Sequence, residues 1–258
     1  MSIITLTTDF GSVYPAAMKG VILSIDPRAT IVDISHTVPR GDIRAGAFAL
    51  YSAVPYFPVG SVHVAVVDPG VGTARDSIVI SSGGHLFVGP DNGLMIPAAS
   101  MFGKAEIRKI TNSDLLGSIS ATFHGRDVFA RIGAYLSKGL PLEEVGEPTM
   151  DHVHMDFGVV ETGKDFISGK VVYIDDFGNI ITNIKSSDIL GTIGFGETVH
   201  IFSRDMPLMR TYALVDEGEL LALVGSHGFL EIALNKGDAS KKLDILCNDP
   251  VKLTFLKK

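Results

Sequence analysis

Three carboxylates, one arginine and one histidine stand where turns follow apolar runs, the places where a side chain can face a ligand. Asp9 closes Thr7-Thr8-Asp9-Phe10-Gly11, and Asp68 opens Asp68-Pro69-Gly70-Val71-Gly72, with Arg75 seven residues on. His124 lies in Thr122-Phe123-His124-Gly125-Arg126-Asp127, at the start of a helical pattern. Asp175 opens Asp175-Asp176-Phe177-Gly178-Asn179 between two strand-like runs. A carboxylate at a strand end can accept two hydrogen bonds from a vicinal diol, as acidic residues do toward ribose in dinucleotide sites. Asp9 fits that role, or equally a helix cap. The glycines after Asp68 force a tight turn and leave backbone N–H groups open to a ligand. Arg75 either folds back to pin that turn or joins Asp68 and His124 in a catalytic cluster. Asn179 offers an amide to a nucleobase edge and Phe177 a stacking face, unless the segment is a plain hairpin.

These residues need a frame, and the hydrophobic pattern supplies one. The first half alternates strand-like runs (2–8, 30–34, 61–67, 77–81, 85–88, 105–110) with helical ones (14–25, 43–54, 91–99, 125–136). That pattern predicts an α/β domain with a mainly parallel central sheet. From Phe166 onward, short β-rich runs (171–174, 180–183, 199–202, 220–224, 230–234, 251–256) are separated by Gly, Asp and Asn turns, predicting a smaller, mostly β, barrel-like domain. The expected division is 1–150, a linker 151–165, and 166–258.

Composition narrows the function classes. The 258 residues are 46% hydrophobic and 20% charged, an ordinary globular balance that excludes intrinsic disorder. With 22 basic against 29 acidic residues and a net charge of −7, no basic cluster exists to grip nucleic acid. No apolar run is long enough for a membrane span and no leader pattern opens the chain, so a cytoplasmic protein without membrane or nucleic-acid partners is expected. The lone Cys247 excludes an internal disulfide and reads as a small core residue. His152 and His154 alternate in the linker and read as solvated, so no metal site is expected. Neither a dinucleotide fingerprint nor a P-loop is present. Gly225-Ser226-His227-Gly228 looks like part of a nucleophile elbow, but Val224 stands where the preceding position would continue that motif, which argues against a serine hydrolase.

Taken together, Thr7 to Gly11, Val67 to Gly72 with Arg75, Gly89-Pro90-Asp91-Asn92-Gly93, Thr122 to Asp127, Asp176 to Asn179 with Thr182-Asn183, and Ser226-x-Gly228 resemble the S-adenosyl-L-methionine hydroxide adenosyltransferase family. The fluorinase and chlorinase are its halide-using relatives. The resemblance runs in order from Thr7 to about Asp238. It implies a homotrimer with active sites at subunit interfaces, no cofactor, and attack of water on C5′ of S-adenosyl-L-methionine to give adenosine and L-methionine. By the same resemblance Asp68, Arg75 and His124 handle the water and Asp9 the ribose hydroxyls. Asn179 reads adenine, Phe177 and Tyr212 flank it, Asp175 meets the methionine ammonium, and Ser226 meets its amino-acid head. The His124-Gly125 pair and the lack of room for the halogenases' extra loop favour water over halide. The other readings are a halide-dependent 5′-halo-5′-deoxyadenosine synthase, a non-catalytic S-adenosylmethionine- or adenosine-binding module, and a metal-dependent phosphoesterase built on Asp9, Asp68, His63 and His124.

Overall fold

In a computed structural model describing residues 2–255, the chain divides into two units, Met1–Asp156 and Phe157–Lys258. The first is built on β1 (Ile3–Thr8), α1 (Tyr14–Ile25), β2 (Thr30–Ser35), α2 (Ile43–Ala53), β3 (Val62–Val66), β4 (Ser77–Ser82), β5 (His85–Pro90), α3 (Ile96–Ser100), β6 (Glu106–Lys109) and α4 (Ala130–Ser137). Its six-stranded sheet has the order β2-β1-β3-β5-β4-β6, with β2, β1, β3 and β5 mutually parallel and β4 antiparallel to both neighbours. Every residue of β3 is buried, as a central parallel strand covered on both faces requires. Pro15, Met18 and Ile22 form the buried stripe of α1, which stops at Asp26 before Pro27. The Asp42 carboxylate caps α2 by accepting the Ala45 N–H at 2.9 Å.

Two helices differ from the pattern-based expectation. The run 91–99 is helical only from Ile96, because Asn92 is spent on the loop: its Nδ2 donates to the Val67 carbonyl and its Oδ1 accepts the Leu94 N–H. The run 125–136 begins with a turn of π-helix, Gly125–Phe129, before α4. Such turns concentrate at functional sites.

The second unit comprises β7 (Glu161–Thr162), β8 (Phe166–Ile174), β9 (Ile180–Lys185), α5 (Ser186–Ile189), β10 (Thr198–Ile201), β11 (Arg204–Met209), β12 (Leu220–Val224), β13 (Phe229–Leu234), α6 (Ala239–Leu243) and β14 (Pro250–Thr254). The order β14-β10-β11-β12-β13-β9-β8 closes through β14–β8 pairing into a seven-stranded barrel, with β7 added on β8. Ile167, Val171, Ile180, Ile232 and Leu253 are among the side chains that fill it. Strand β11 escapes the sequence pattern because Pro207 and two charges interrupt it, yet Met206 and Leu208 are buried. Leu256 of the expected final strand lies outside the described residues. Cys247, expected in the core, is instead exposed in the turn leading to β14. No helix among the described residues is long and apolar enough to cross a membrane.

A chain of polar groups crosses the first sheet: Thr5 Oγ1 lies 2.8 Å from His63 Nδ1, and His63 Nε2 lies 3.1 Å from His85 Nδ1. Both histidines are buried, which removes His63 from any surface metal site. Burial and then the neighbouring His85 push His63 from 6.5 down to about 3. The unfolded chain takes up this proton below about pH 6.5 and the folded chain does not, so stability is full above that pH and falls by about 1.4 kcal/mol per pH unit below it. Urea melts between neutral pH and pH ~5 are expected to show at least that slope, because burial lowers His85 and His124 as well. A His63→Gln variant is expected to reduce the slope by His63's share, and an unchanged slope would remove His63 as a contributor.

Candidate active site

At the carboxyl end of β3, the chain turns at Asp68 and Arg75 comes back onto it. Arg75 Nε lies 3.0 Å from both Asp68 oxygens, and its Nη2 lies 2.5 Å from Oδ2. The two side chains are only 11% and 4% exposed. Nη2 also meets His124 Nδ1 at 2.9 Å, while Nη1 donates to Ser77 Oγ at 2.8 Å and the Asp76 carbonyl at 3.2 Å. The structure thus joins the three residues proposed for one role from widely separated motifs. All five guanidinium N–H groups have protein acceptors.

A guanidinium only donates, so His124 Nδ1 must be the acceptor and the neutral ring carries its proton on Nε2. Burial first, then the Arg75 charge, lowers the His124 pKa, against the opposing pull of Asp68 and Asp127. The motif's other members hold this ring in place. Asp127 accepts the Ser120 N–H at 2.9 Å, and a Cβ on Gly125 would stand 2.8 Å from the Phe10 ring. Gly72 has φ +78°, and a Cβ there would press on the Ala121 carbonyl at 2.6 Å, so the Asp68 turn and the loop before His124 meet through a position that only glycine fills. Asp9 does not cap α1, whose N-cap is Val13 without a side-chain bond. Its Oδ2 instead accepts the Gly41 N–H at 2.8 Å.

The second unit carries a pocket of about 670 Å³ lined by Asp176, Phe177, Asn179, Tyr212, Leu234, Lys236, Gly237 and Asp238. That volume lies within the ordinary range for a small-molecule site. Phe177, Asn179 and Tyr212 are therefore brought together across the barrel end. Asp175 anchors the turn beneath them: Oδ1 accepts the N–H groups of Phe177 and Asn179, and Oδ2 accepts Asn179 Nδ2 at 2.9 Å. Gly178 adopts φ +81° and packs on the Asp238 carboxylate, leaving no space for a Cβ. Ser226 is exposed on the β12–β13 turn and does not line the pocket. Thr182 and Asn183 serve the barrel itself, through bonds to Leu230 and to Gly158 and Lys170.

Sequence reasoning missed Leu234, Lys236, Gly237 and Asp238, because Asn-Lys-Gly-Asp reads as an ordinary turn. It also missed Glu231, buried in β13, whose Oε1 accepts the Tyr212 hydroxyl at 2.6 Å. No group of three His, Cys, Asp or Glu side chains among the described residues is arranged to hold a metal ion.

An α/β unit with an Asp–Arg–His cluster at its strand ends, and a barrel unit with an aromatic pocket of nucleoside size, together have the anatomy of a two-domain adenosyltransferase. The chain belongs to the SAM hydroxide adenosyltransferase family: the family's N-terminal domain matches residues 4–146 and its C-terminal domain residues 169–252. It is 39% identical to an (R)-S-adenosyl-L-methionine hydrolase of Salinispora tropica, over 97% of each chain, and 40% identical to that of Methanocaldococcus jannaschii, over 99% of this chain and 97% of the other. A fluorinase of Nocardia brasiliensis is 29% identical over 85% of each chain. A crystal structure of a Thermotoga maritima protein superposes with a TM-score of 0.91 at 39% identity, covering 97% of this chain and 99% of that one.

Proposed function

We propose that the protein hydrolyses S-adenosyl-L-methionine by attack of water on C5′, releasing L-methionine and forming adenosine. The observation that carries this reading is the buried Asp68–Arg75–His124 cluster in a chain so similar to hydrolases of that substrate. The relatives' names specify an (R) form. Since L already fixes the α-carbon, R describes the sulfonium, and the same epimer is the proposed substrate here.

A sulfonium is an excellent leaving group, so the weak partner is the nucleophile. Arg75 has spent its N–H groups, so it acts through the residues it holds: it aims Asp68 and fixes the His124 tautomer. The water then donates to a lone pair left on Asp68 and accepts from His124 Nε2–H. The oxygen gains hydroxide character as it approaches C5′, and the proton passes to Asp68. Asp9 keeps Oδ1 for the ribose diol. Asn179 addresses the adenine edge between Phe177 and Tyr212. One lone pair on Asp175 Oδ2 remains for the methionine ammonium, and Ser226 meets the amino-acid head. No metal or cofactor enters this scheme.

Phe177 is 78% exposed and Tyr212 40%, an aromatic rim that invites cover. We assign that cover to the N-terminal unit of a neighbouring subunit in a homotrimer. Light scattering is expected to give three times the chain mass, and a monomer active at the same concentration would contradict the assignment.

The test of the reaction is chromatography after incubation with each sulfonium epimer, with chelator and with chloride varied. Adenosine and methionine from the (R) epimer, indifferent to both additives, is the expected result. Intact substrate would contradict hydrolysis, and 5′-chloro-5′-deoxyadenosine would make the protein a halide transferase. Asn179→Ala is expected to weaken adenosine binding about tenfold, the worth of one well-placed hydrogen bond pair, with little change in the single-turnover rate. The reverse pattern would move Asn179 away from adenine.

A further inference from the structure

Glu231 is 3% exposed in the wall of the barrel, where an aliphatic side chain would carry no desolvation cost. Its two oxygens reach two different segments, one that lines the pocket and one that turns between β12 and β13. Oε1 accepts the hydroxyl of Tyr212 at 2.6 Å, and Oε2 lies 3.3 Å from His227 Nε2. The Phe229 N–H donates to His227 Nδ1 at 3.2 Å, so the neutral imidazole carries its proton on Nε2 and donates it to Glu231. Gly225 closes over this group: a Cβ there would collide with the His227 ring and stand 2.6 Å from Glu231 Oε2.

We propose that Glu231 is a positioning residue for substrate binding, holding the Tyr212 ring as a wall of the nucleoside pocket and locking the turn that bears Ser226 and His227. It touches no ligand and acts through the residues it holds. The proposal rests on the reading that this pocket takes the adenosine part of the substrate. The charge balance agrees with the geometry, since burial and the bond to Glu231, with a further contribution from Asp175, raise the Tyr212 pKa.

Glu231→Gln preserves volume and removes the charge. It is expected to weaken adenosine binding in calorimetry about tenfold, the effect of one charge-assisted hydrogen bond, and to raise KM with kcat changed less than about threefold. Tyr212→Phe, which keeps the ring, is expected to show a similar loss, and the double variant to be no worse than either single one. Unchanged adenosine affinity in Glu231→Gln, or strictly additive losses in the double variant, would overturn the proposal. A wild-type protein that binds no adenosine would overturn the functional reading as well, whereas one that binds it while the variant matches it overturns this proposal alone.

Discussion

Asp68→Ala is expected to lower kcat about a thousandfold, within the range that a positioned proton acceptor supplies, while adenosine binding changes little. Two losses combine in this variant. The water loses its acceptor, and Arg75 loses the partner that receives three of its hydrogen bonds. The pocket residues Phe177, Asn179 and Tyr212 are untouched, so calorimetry with adenosine is the control that separates chemistry from binding. Turnover near the wild-type rate would remove Asp68 from the proton's path. Loss of adenosine binding in step with turnover would make it a residue of the fold.

Arg75→Met is expected to cost a similar factor by a different route, visible in the pH profile. The guanidinium charge is one of the two causes that lower the His124 pKa, while Asp68 and Asp127 pull the other way. Removing the positive charge leaves burial alone to oppose those carboxylates, so His124 protonates at higher pH and the acid limb of kcat moves up. Both ring nitrogens then carry protons, and the tautomer that Arg75 Nη2 enforced is lost. Arg75→Lys keeps the charge but cannot bridge Asp68, Ser77 and His124 from one planar group. It is expected to retain the acid limb near its original position with a reduced rate. An acid limb that stays put in Arg75→Met would show that another group titrates there.

The elements that position this chemistry were legible where hydrophobic period and chain breakers agreed. The β-branched run of β3 and the stop of α1 at Asp26-Pro27 are examples. Strand β11 was not, because Pro207 masks a pattern that only burial of Met206 and Leu208 reveals. The candidate cluster was legible as residue types beside turns, but a separation of 49 positions between Arg75 and His124 gives no hint of a 2.9 Å contact. Which atoms are spent is likewise a three-dimensional fact: the sequence offers Arg75 as a donor to water, and the fold uses all its donors elsewhere. Asp175 shows the same limit, since its engagement within its own turn depends on backbone N–H directions. Glu231 was hidden for a further reason. In Phe229-Leu230-Glu231-Ile232 an acidic residue alternating with the barrel-filling Leu230 and Ile232 reads as solvent-facing, and only Tyr212 and His227 packed over that outer face bury it. Cys247 failed in the opposite direction, a residue of buried type placed in an exposed turn.

Incubation with (R)-S-adenosyl-L-methionine in water enriched in heavy oxygen, followed by mass spectrometry of both products, tests the central claim most directly. Attack on C5′ predicts adenosine carrying one heavy oxygen at its 5′ position and unlabelled methionine. Unlabelled adenosine, or label appearing in the methionine-derived product, would place bond formation elsewhere and contradict the role assigned to Asp68, Arg75 and His124.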